Sequence, residues 1–141
     1  CPMSGLVLAF AALATAQVST ATLQVELSGV RDQRGTIHAC LTQSPAHFPD
    51  CKSDPAAIMQ TIPGTRRELL FRGVAPGRYA LAVFHDENAN RKLDTFLGVP
   101  REGFGFSRNP TISFGAPRFD KVTIELAPGF ARTSVRLQYL L

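Results

Sequence analysis

Apolar and polar side chains alternate along several short stretches of the chain, and this alternation predicts β-strands. Near the N-terminal end, Leu23, Val25 and Leu27 alternate with polar residues. Successive side chains of a strand point to opposite faces, so a two-residue period indicates a strand with one buried and one solvated face. The same pattern recurs at 122–126 and 135–139, which we also predict to be strands.

Glycine and proline residues bound further strand-like segments. Turn signals such as Pro76-Gly77 and Pro128-Gly129 separate the apolar stretches. Three more strands are predicted between such signals, at 36–41, 68–71 and 78–85, and segment 54–60 is the one candidate for a short helix. Many short strands without a long helical period predict an all-β fold, an antiparallel two-sheet sandwich of about seven strands with one long ordered loop.

Length and composition fit one globular domain. The chain has 141 residues, of which 45% are hydrophobic and 18% charged, and its formal net charge is +4. A chain of this length folds as a single domain with a real core. The basic residues are scattered rather than gathered into a stripe between exposed aromatic residues, so nucleic acid is not an expected partner.

The N-terminal residues resemble an export signal. An apolar run, LVLAFAALA, occupies Leu6 to Ala14 and is followed by the small-x-small pattern of Ala14-Thr15-Ala16. The run is shorter than the roughly 20 residues that a membrane-spanning helix needs. We therefore expect residues 1–16 to be a cleaved signal peptide and 17–141 to form a single sandwich domain. That domain is expected to be periplasmic or extracellular, with no membrane span after removal of the leader.

Two cysteines remain once the leader is removed. In an oxidising compartment, an even pair such as Cys40 and Cys51 favours a disulfide bond over two free thiols. The alternatives are a metal pair and a reactive thiol. His47 is the one nearby imidazole, too few ligands for a zinc site, and neither cysteine lies in a C-x-x-C motif.

The long connection from Phe84 to Asn109 carries most of the residues that suggest function. Its first half places oxygen-bearing side chains at alternate positions, a spacing that suits a hard cation such as calcium. The predicted ligands are the side chains of Asp86, Asn88, Asn90 and Asp94 and the backbone carbonyl of Lys92.

The same loop departs from an EF-hand, which leaves a second interpretation open. Counted from Asp86, position 6 is Arg91 where an EF-hand has glycine, and position 12 is Leu97 where it has glutamate. The alternative is a turn in which the Asp and Asn side chains bond to the loop's own amides without a metal.

Catalysis is a further alternative for this connection. A small hydrolase would use Glu102 with Asp86 or Asp94 as acid and base and His85 as a proton shuttle. Ser107 lies in no nucleophile elbow, which argues against a serine hydrolase. The structural interpretation of Glu102 is a carboxylate that bonds to loop amides or to a neighbouring arginine and holds the loop in place.

Several motifs together resemble a known family. The motifs are APGRY at 75–79, HDENANRKLD at 85–94, GVP at 98–100, EGFGFS at 102–107 and APRF at 116–119. In this order and spacing they resemble the bacterial secreted family known as domain of unknown function 2141. The resemblance implies an exported, sandwich-like protein of unestablished role, and it implies a glycine where this chain has Arg91. The Pro-Gly-x-Tyr turn is also similar to transthyretin-like and other Ig-like sandwiches.

These observations favour a non-catalytic binding or accessory module of the cell envelope, with an unidentified envelope partner or ligand. The alternatives are the small hydrolase and a purely structural envelope protein. A sugar-binding module is disfavoured because the chain has no tryptophan. Five aromatic residues in or just beyond the loop are expected to form a second small core, the alternative being a ligand groove: Phe96, Phe104, Phe106, Phe114 and Phe119. The predicted binding loop comprises His85, Glu102, Phe104, Phe106 and Ser107.

Overall fold

The fold is a sandwich of two β-sheets. The computed structural model describes residues 19–91, 95–96, 99–100, 102–112 and 115–140. A short 3-10 helix at Pro45–His47 and a helix α1 at Phe119–Val122 lie among the strands. The strands are β1 Ala21–Ser28, β2 Thr36–Thr42, β3 Ile58–Pro63, β4 Glu68–Val74, β5 Gly77–Asp86, β6 Thr95–Phe96, β7 Val99–Pro100, β8 Phe104–Phe106, β9 Thr123–Leu126 and β10 Gly129–Arg136.

The order of the strands confirms the predicted all-β sandwich. In the described part of the chain, the smaller sheet has the order β10-β1-β4 and the larger sheet the order β3-β2-β5-β8, with β9 also pairing with β5. The pairs of the larger sheet are antiparallel, as is β1 with β4. The pair of β1 with β10 is parallel, which an all-antiparallel expectation does not include. Strands β6 and β7 form a separate small hairpin.

The main core lies between the two sheets. The alternating residues of β1 point into it, with Leu23 and Val25 almost completely buried, and their polar neighbours face outward. Phe71 of β4 and Leu81 of β5 pack in the same core. Burying a side chain of this size contributes roughly 1.5 to 3 kcal/mol, so the two-residue period that predicted the strands also accounts for the packing of the sheets.

A second, smaller core covers the outer face of the larger sheet, as predicted for the loop phenylalanines. Ala80 and Ala82 of β5 pack in this core, so β5 is buried on both faces. Burial on both faces accounts for the nearly continuous apolar sequence of this strand. Of the predicted members, Phe104, Phe106 and Phe119 belong to this core. Phenylalanine 114 and the side chain of phenylalanine 96 lie outside the described residues.

Two predictions from the sequence were wrong in detail. Segment 54–60 is not a helix, because β3 begins at Ile58 and pairs with β2 along its whole length. This tertiary pairing decides the conformation of a segment whose own period is weak. The last strand is β10, which ends at Arg136, earlier than predicted. Leu137 continues into the core beyond the strand's end.

The cysteine pair has the geometry that the sequence predicted. Cys40 and Cys51 are both buried and lie within bonding distance of each other, with Cα atoms 6.4 Å apart. Among the described residues, no helix has the length and apolar composition needed to span a bilayer. The predicted signal peptide, 1–16, lies outside the described residues.

Replacing both cysteines by serine is expected to lower the free energy of unfolding by about 2 to 3 kcal/mol, because the bridge closes a short loop in the unfolded chain. Urea denaturation of the purified protein measures the change. Wild-type protein treated with a reductant serves as a control, and its free energy of unfolding should approach that of the double variant. Equal midpoints for oxidised and reduced protein would contradict the prediction.

Candidate functional site

The end of β5 presents two adjacent polar side chains to opposite faces of the larger sheet. The alternation along β5 places His85 toward the main core and Asp86 on the outer face. Both side chains are fully buried. They therefore have separate surroundings and do not form an acid–base pair with each other.

The loop after β5 folds around the Asp86 carboxylate. The backbone N–H of Asn90 donates to Oδ1 at 3.1 Å and that of Arg91 donates to Oδ2 at 2.6 Å. Ala89 and Arg91 have left-handed backbones, with φ of 55° and 63°. Position 91, where the family resemblance implied a glycine, thus has the conformation that glycine adopts most easily.

His38 is the second partner of Asp86, and it was not among the predicted site residues. Its Nε2 lies 3.0 Å from Asp86 Oδ2 and its Nδ1 lies 2.9 Å from the Thr61 hydroxyl. Its ring stacks on Phe84 with centroids 4.7 Å apart. Because a carboxylate only accepts, Nε2 carries the hydrogen of this bond. The pairing of β2 with β5 sets His38 beside Phe84 and two residues from Asp86, a register that a single strand does not reveal.

The surroundings of Asp86 fit a self-bonded turn better than a calcium site. Both of its oxygens accept bonds from N–H groups, whose positive ends point to where a cation would lie. Asn88 Oδ1 likewise accepts from the Asn90 amide at 3.3 Å. Within the described ranges, no group of three or more His, Cys, Asp or Glu side chains converges on a metal position. Since Lys92 and Asp94 lie outside those ranges, the calcium site stays a prediction.

His85 joins three segments of chain at the end of the main core. Its Nε2 lies 2.7 Å from the backbone carbonyl of Arg34, so it donates there, and Nδ1 accepts from the Tyr139 hydroxyl at 2.8 Å. The Tyr139 oxygen accepts in turn from the Arg31 amide at 3.1 Å. Burial raises the pKa of Tyr139. These bonds fix the imidazole in one tautomer and leave both its nitrogens occupied.

Glu102 bonds to a loop amide, as its structural interpretation proposed. Its side chain is buried, and Oε2 accepts from the backbone N–H of Glu87 at 2.6 Å. The next residue, Gly103, accepts from the His85 amide at 2.7 Å. A Cβ at Gly103 would lie 2.5 Å from the Tyr139 ring, so only glycine fits there. Glu102 and Gly103 together bring the long connection against the end of β5.

The remaining predicted loop residues also serve the fold. Phe104 and Phe106 pack in the second core. Ser107 is fully buried: its hydroxyl accepts from the Leu81 amide at 3.1 Å and donates to the Val122 carbonyl. The EGFGFS motif is therefore explained by backbone bonds and packing.

Charged residues complete this end of the sandwich. Glu87 pairs with Arg31 at 2.5 Å and with Arg34 at 2.6 Å. The Arg31 guanidinium lies 4.4 Å from the centre of the Tyr139 ring. We call this group the end cluster. It comprises Arg31, Asp32, Arg34, His85, Glu87, Glu102 and Tyr139.

Asp32 is the member of the end cluster with the clearest change in acidity. Partial burial opposes its ionisation, but hydrogen bonds from the backbone amide and the side chain of Arg34 outweigh this effect and lower the pKa of Asp32 to about 2. Asp32 Oδ1 also lies 3.6 Å from His85 Nε2. Asp32 thus contacts both Arg34 and His85 at the end of the main core.

Comparison with known proteins identifies the family. Residues 25–134 match a family described as an uncharacterized protein conserved in bacteria, domain of unknown function 2141. This match covers most of the chain, so the chain belongs to that family. No curated protein and no solved structure matches the chain significantly.

Replacing Asp32 by asparagine is expected to lower the free energy of unfolding by about 1 kcal/mol at pH 7, an amount reduced by the solvent exposure of the pair. Because the folded-state pKa is depressed, this stabilisation is present above the ordinary value of 3.8 and is lost as the pH falls toward 2. The difference between wild type and variant should therefore close over that interval. Urea denaturation at several pH values measures it.

The matched control is Asp120→Asn, which removes an exposed carboxylate whose oxygen is 3.6 Å from the Arg118 guanidinium. We expect it to change stability by less than about 0.5 kcal/mol. A gap between wild type and Asp32→Asn that is constant from pH 7 to pH 2 would contradict the assigned pKa.

Proposed function

We propose that this member of the DUF2141 family is an exported, non-catalytic binding or accessory module of the cell envelope. One observation carries the non-catalytic part: the three candidate acids and bases that lie in the described residues each bond to a backbone group of the chain, while Asp94 lies outside those residues. His85 donates to the Arg34 carbonyl, Asp86 accepts from two loop amides and Glu102 accepts from the Glu87 amide. All three side chains are buried, away from any substrate in solution.

Export is supported by two independent features of the chain. The apolar segment at 6–14 followed by small residues has the pattern of a cleaved leader. Cys40 and Cys51 lie within disulfide distance, and stable disulfides are typical of oxidising compartments such as the periplasm. These two features support the proposal that the mature domain lies in the periplasm or outside the cell.

The hydrolase alternative requires the loop carboxylates to reach a substrate and to exchange protons. Glu102 Oε2 lies 2.6 Å from a backbone donor, and a catalyst would have to give up that bond at every turnover. An unsatisfied buried N–H costs about 1 to 3 kcal/mol. The contact is therefore better suited to holding the loop than to proton transfer.

Replacing Glu102 distinguishes the two roles. Glu102→Ala leaves the part-buried Glu87 amide without this acceptor and should lower the free energy of unfolding by about 1 to 3 kcal/mol. Glu102→Gln keeps a carbonyl oxygen in the same place and should lose less than about 1 kcal/mol. Thermal and urea denaturation of both variants measure these changes. The wild type should show no turnover of chromogenic esters, phosphates or glycosides above a buffer blank.

Turnover of any of these substrates by the wild type would contradict the non-catalytic proposal if Glu102→Gln abolished it while keeping the stability of the wild type. Equal stability of Glu102→Ala and wild type would contradict the structural role of the carboxylate. The two measurements use the same purified proteins and give independent answers.

Calcium is expected to have no effect on the mature protein, because N–H groups already occupy the Asp86 oxygens. Isothermal calorimetry and thermal denaturation with 1 mM calcium, about the extracellular range of binding constants, measure the effect. Heat of binding together with a rise in melting temperature would contradict this expectation and support the predicted calcium site at 86–94. Asp86→Asn, which should remove such a response, is the control.

A further inference from the structure

The two sides of the sandwich are closed to different degrees. On one side, the chain after β10 pairs with β8: the Phe104 amide donates to the Gln138 carbonyl at 3.0 Å and the Gln138 amide donates to the Phe104 carbonyl at 2.8 Å. Asn109 adds a second closure, since its side chain bonds to the Ser134 carbonyl and to the Arg136 amide at 3.2 and 2.8 Å. This side therefore offers few free backbone groups.

In the part of the chain that the structure describes, the opposite side carries two strand edges without a paired neighbour. β3 is the outer strand of the larger sheet and β4 the outer strand of the smaller sheet, and the short turn at 64–67 joins them. A groove of about 460 Å³ lies between them. The unpaired backbone of an edge strand is a template for another strand. The groove is lined by Gln60, Ile62, Arg66, Arg67, Glu68, Leu69 and Leu70.

A hydrogen bond between Gln60 and Leu70 inside the groove indicates how an added strand would bind there. The side-chain amide of Gln60 donates to the backbone carbonyl of Leu70 at 2.6 Å. This carbonyl of β4 therefore points into the groove and accepts a donor from it. A carboxamide N–H has the chemistry of a peptide N–H, so the Gln60 side chain occupies a position that an added strand would take.

The rim of the groove is positively charged. Among the described residues, no carboxylate pairs with Arg66 or Arg67, and Arg67 donates to the carbonyls of Gly64, Arg66 and Asp32. The one acidic lining residue, Glu68, accepts from the neutral Gln24 side chain at 2.7 Å and keeps its charge, but the two arginines outnumber it. An approaching carboxylate therefore meets an exposed guanidinium at Arg66, which binds carboxylates in a bidentate manner.

We propose that this groove binds an extended, acidic peptide segment of a partner protein, which adds as a strand to the free edge of β4 and pairs a carboxylate with Arg66. The peptide's backbone N–H replaces the Gln60 side chain at the Leu70 carbonyl. The inference deepens the proposed binding role by naming the surface and the chemistry of the partner.

Fluorescence anisotropy with the mature protein tests the proposal. The probe is a labelled ten-residue peptide of alternating valine and glutamate, compared with versions carrying glutamine or lysine in place of glutamate. The glutamate peptide should bind about tenfold more tightly than the glutamine peptide, and the lysine peptide should bind least. Methylation of alternate backbone nitrogens, which removes N–H donors, should abolish binding if strand addition is the mode.

Three variants localise the site. Arg66→Glu should weaken binding of the glutamate peptide by about tenfold or more. The control Arg118→Glu reverses the charge of an exposed arginine at the second core and should leave binding unchanged. Gln60→Ala removes the competing side-chain amide, and it should bind the peptide at least as tightly as the wild type.

The proposal would be overturned if the three peptides bound with equal affinity, or if the methylated peptide bound as tightly as the unmethylated one. It would also be overturned if Arg66→Glu bound the glutamate peptide as tightly as the wild type does, or if no peptide bound. Weaker binding by Gln60→Ala would overturn the placement on β4. Sedimentation without peptide measures the oligomeric state. A wild-type dimer that Arg66→Glu abolishes would show that a second copy of this chain occupies the groove, and it would overturn the peptide proposal. If the peptide proposal fails, the non-catalytic proposal is still tested separately by the Glu102 variants and the turnover assays, which do not involve this groove.

Discussion

The buried carboxylate of Asp86 is the constraint on which this end of the molecule depends. A charged group without solvent must be surrounded by donors, and here two loop amides and His38 provide them. These bonds set the left-handed turns after β5 and hold β2 beside β5 on the outer face. β5 also pairs with β8 and β9, so the strand that carries Asp86 is the one on which most of the larger sheet is built.

The residues that look most like a catalytic set are those that satisfy backbone groups where strands stop. At a strand's end, amides and carbonyls lose their ladder partners, and acidic, amide and hydroxyl side chains replace them. Glu102 serves the Glu87 amide and His85 the Arg34 carbonyl, while Ser107 serves the Leu81 amide inside β5, at the gap between the neighbouring strands β8 and β9. A motif of polar residues and glycines therefore has two explanations, and the bonding partners in three dimensions decide between them.

The sequence predicted the parts of the fold that depend on local period, and it missed those that depend on pairing. Leu23, Val25 and Leu27 alternate because one face of β1 is buried, so that strand was predictable. β3 was mistaken for a helix because its pairing with β2 sets its conformation. The hydrogen bonds of His38 with Asp86 and of Gln60 with Leu70 depend on the order of the strands and the packing of the two sheets. The periodicity of a single sequence does not contain that information.

An open edge has to be reconciled with solubility. Exposed edges invite copies of the same chain, and charged side chains on them are the usual protection. Arg66 and Arg72 are exposed along β4 and its preceding turn and outnumber the one carboxylate between them, Glu68, so two copies approaching edge to edge bring net positive charges together. The same arginines attract a carboxylate-bearing strand. Under the proposed binding role, one set of charges disfavours self-association and favours an acidic partner at an edge that the described residues leave uncovered, whereas Asn109 and Gln138 close the other edge.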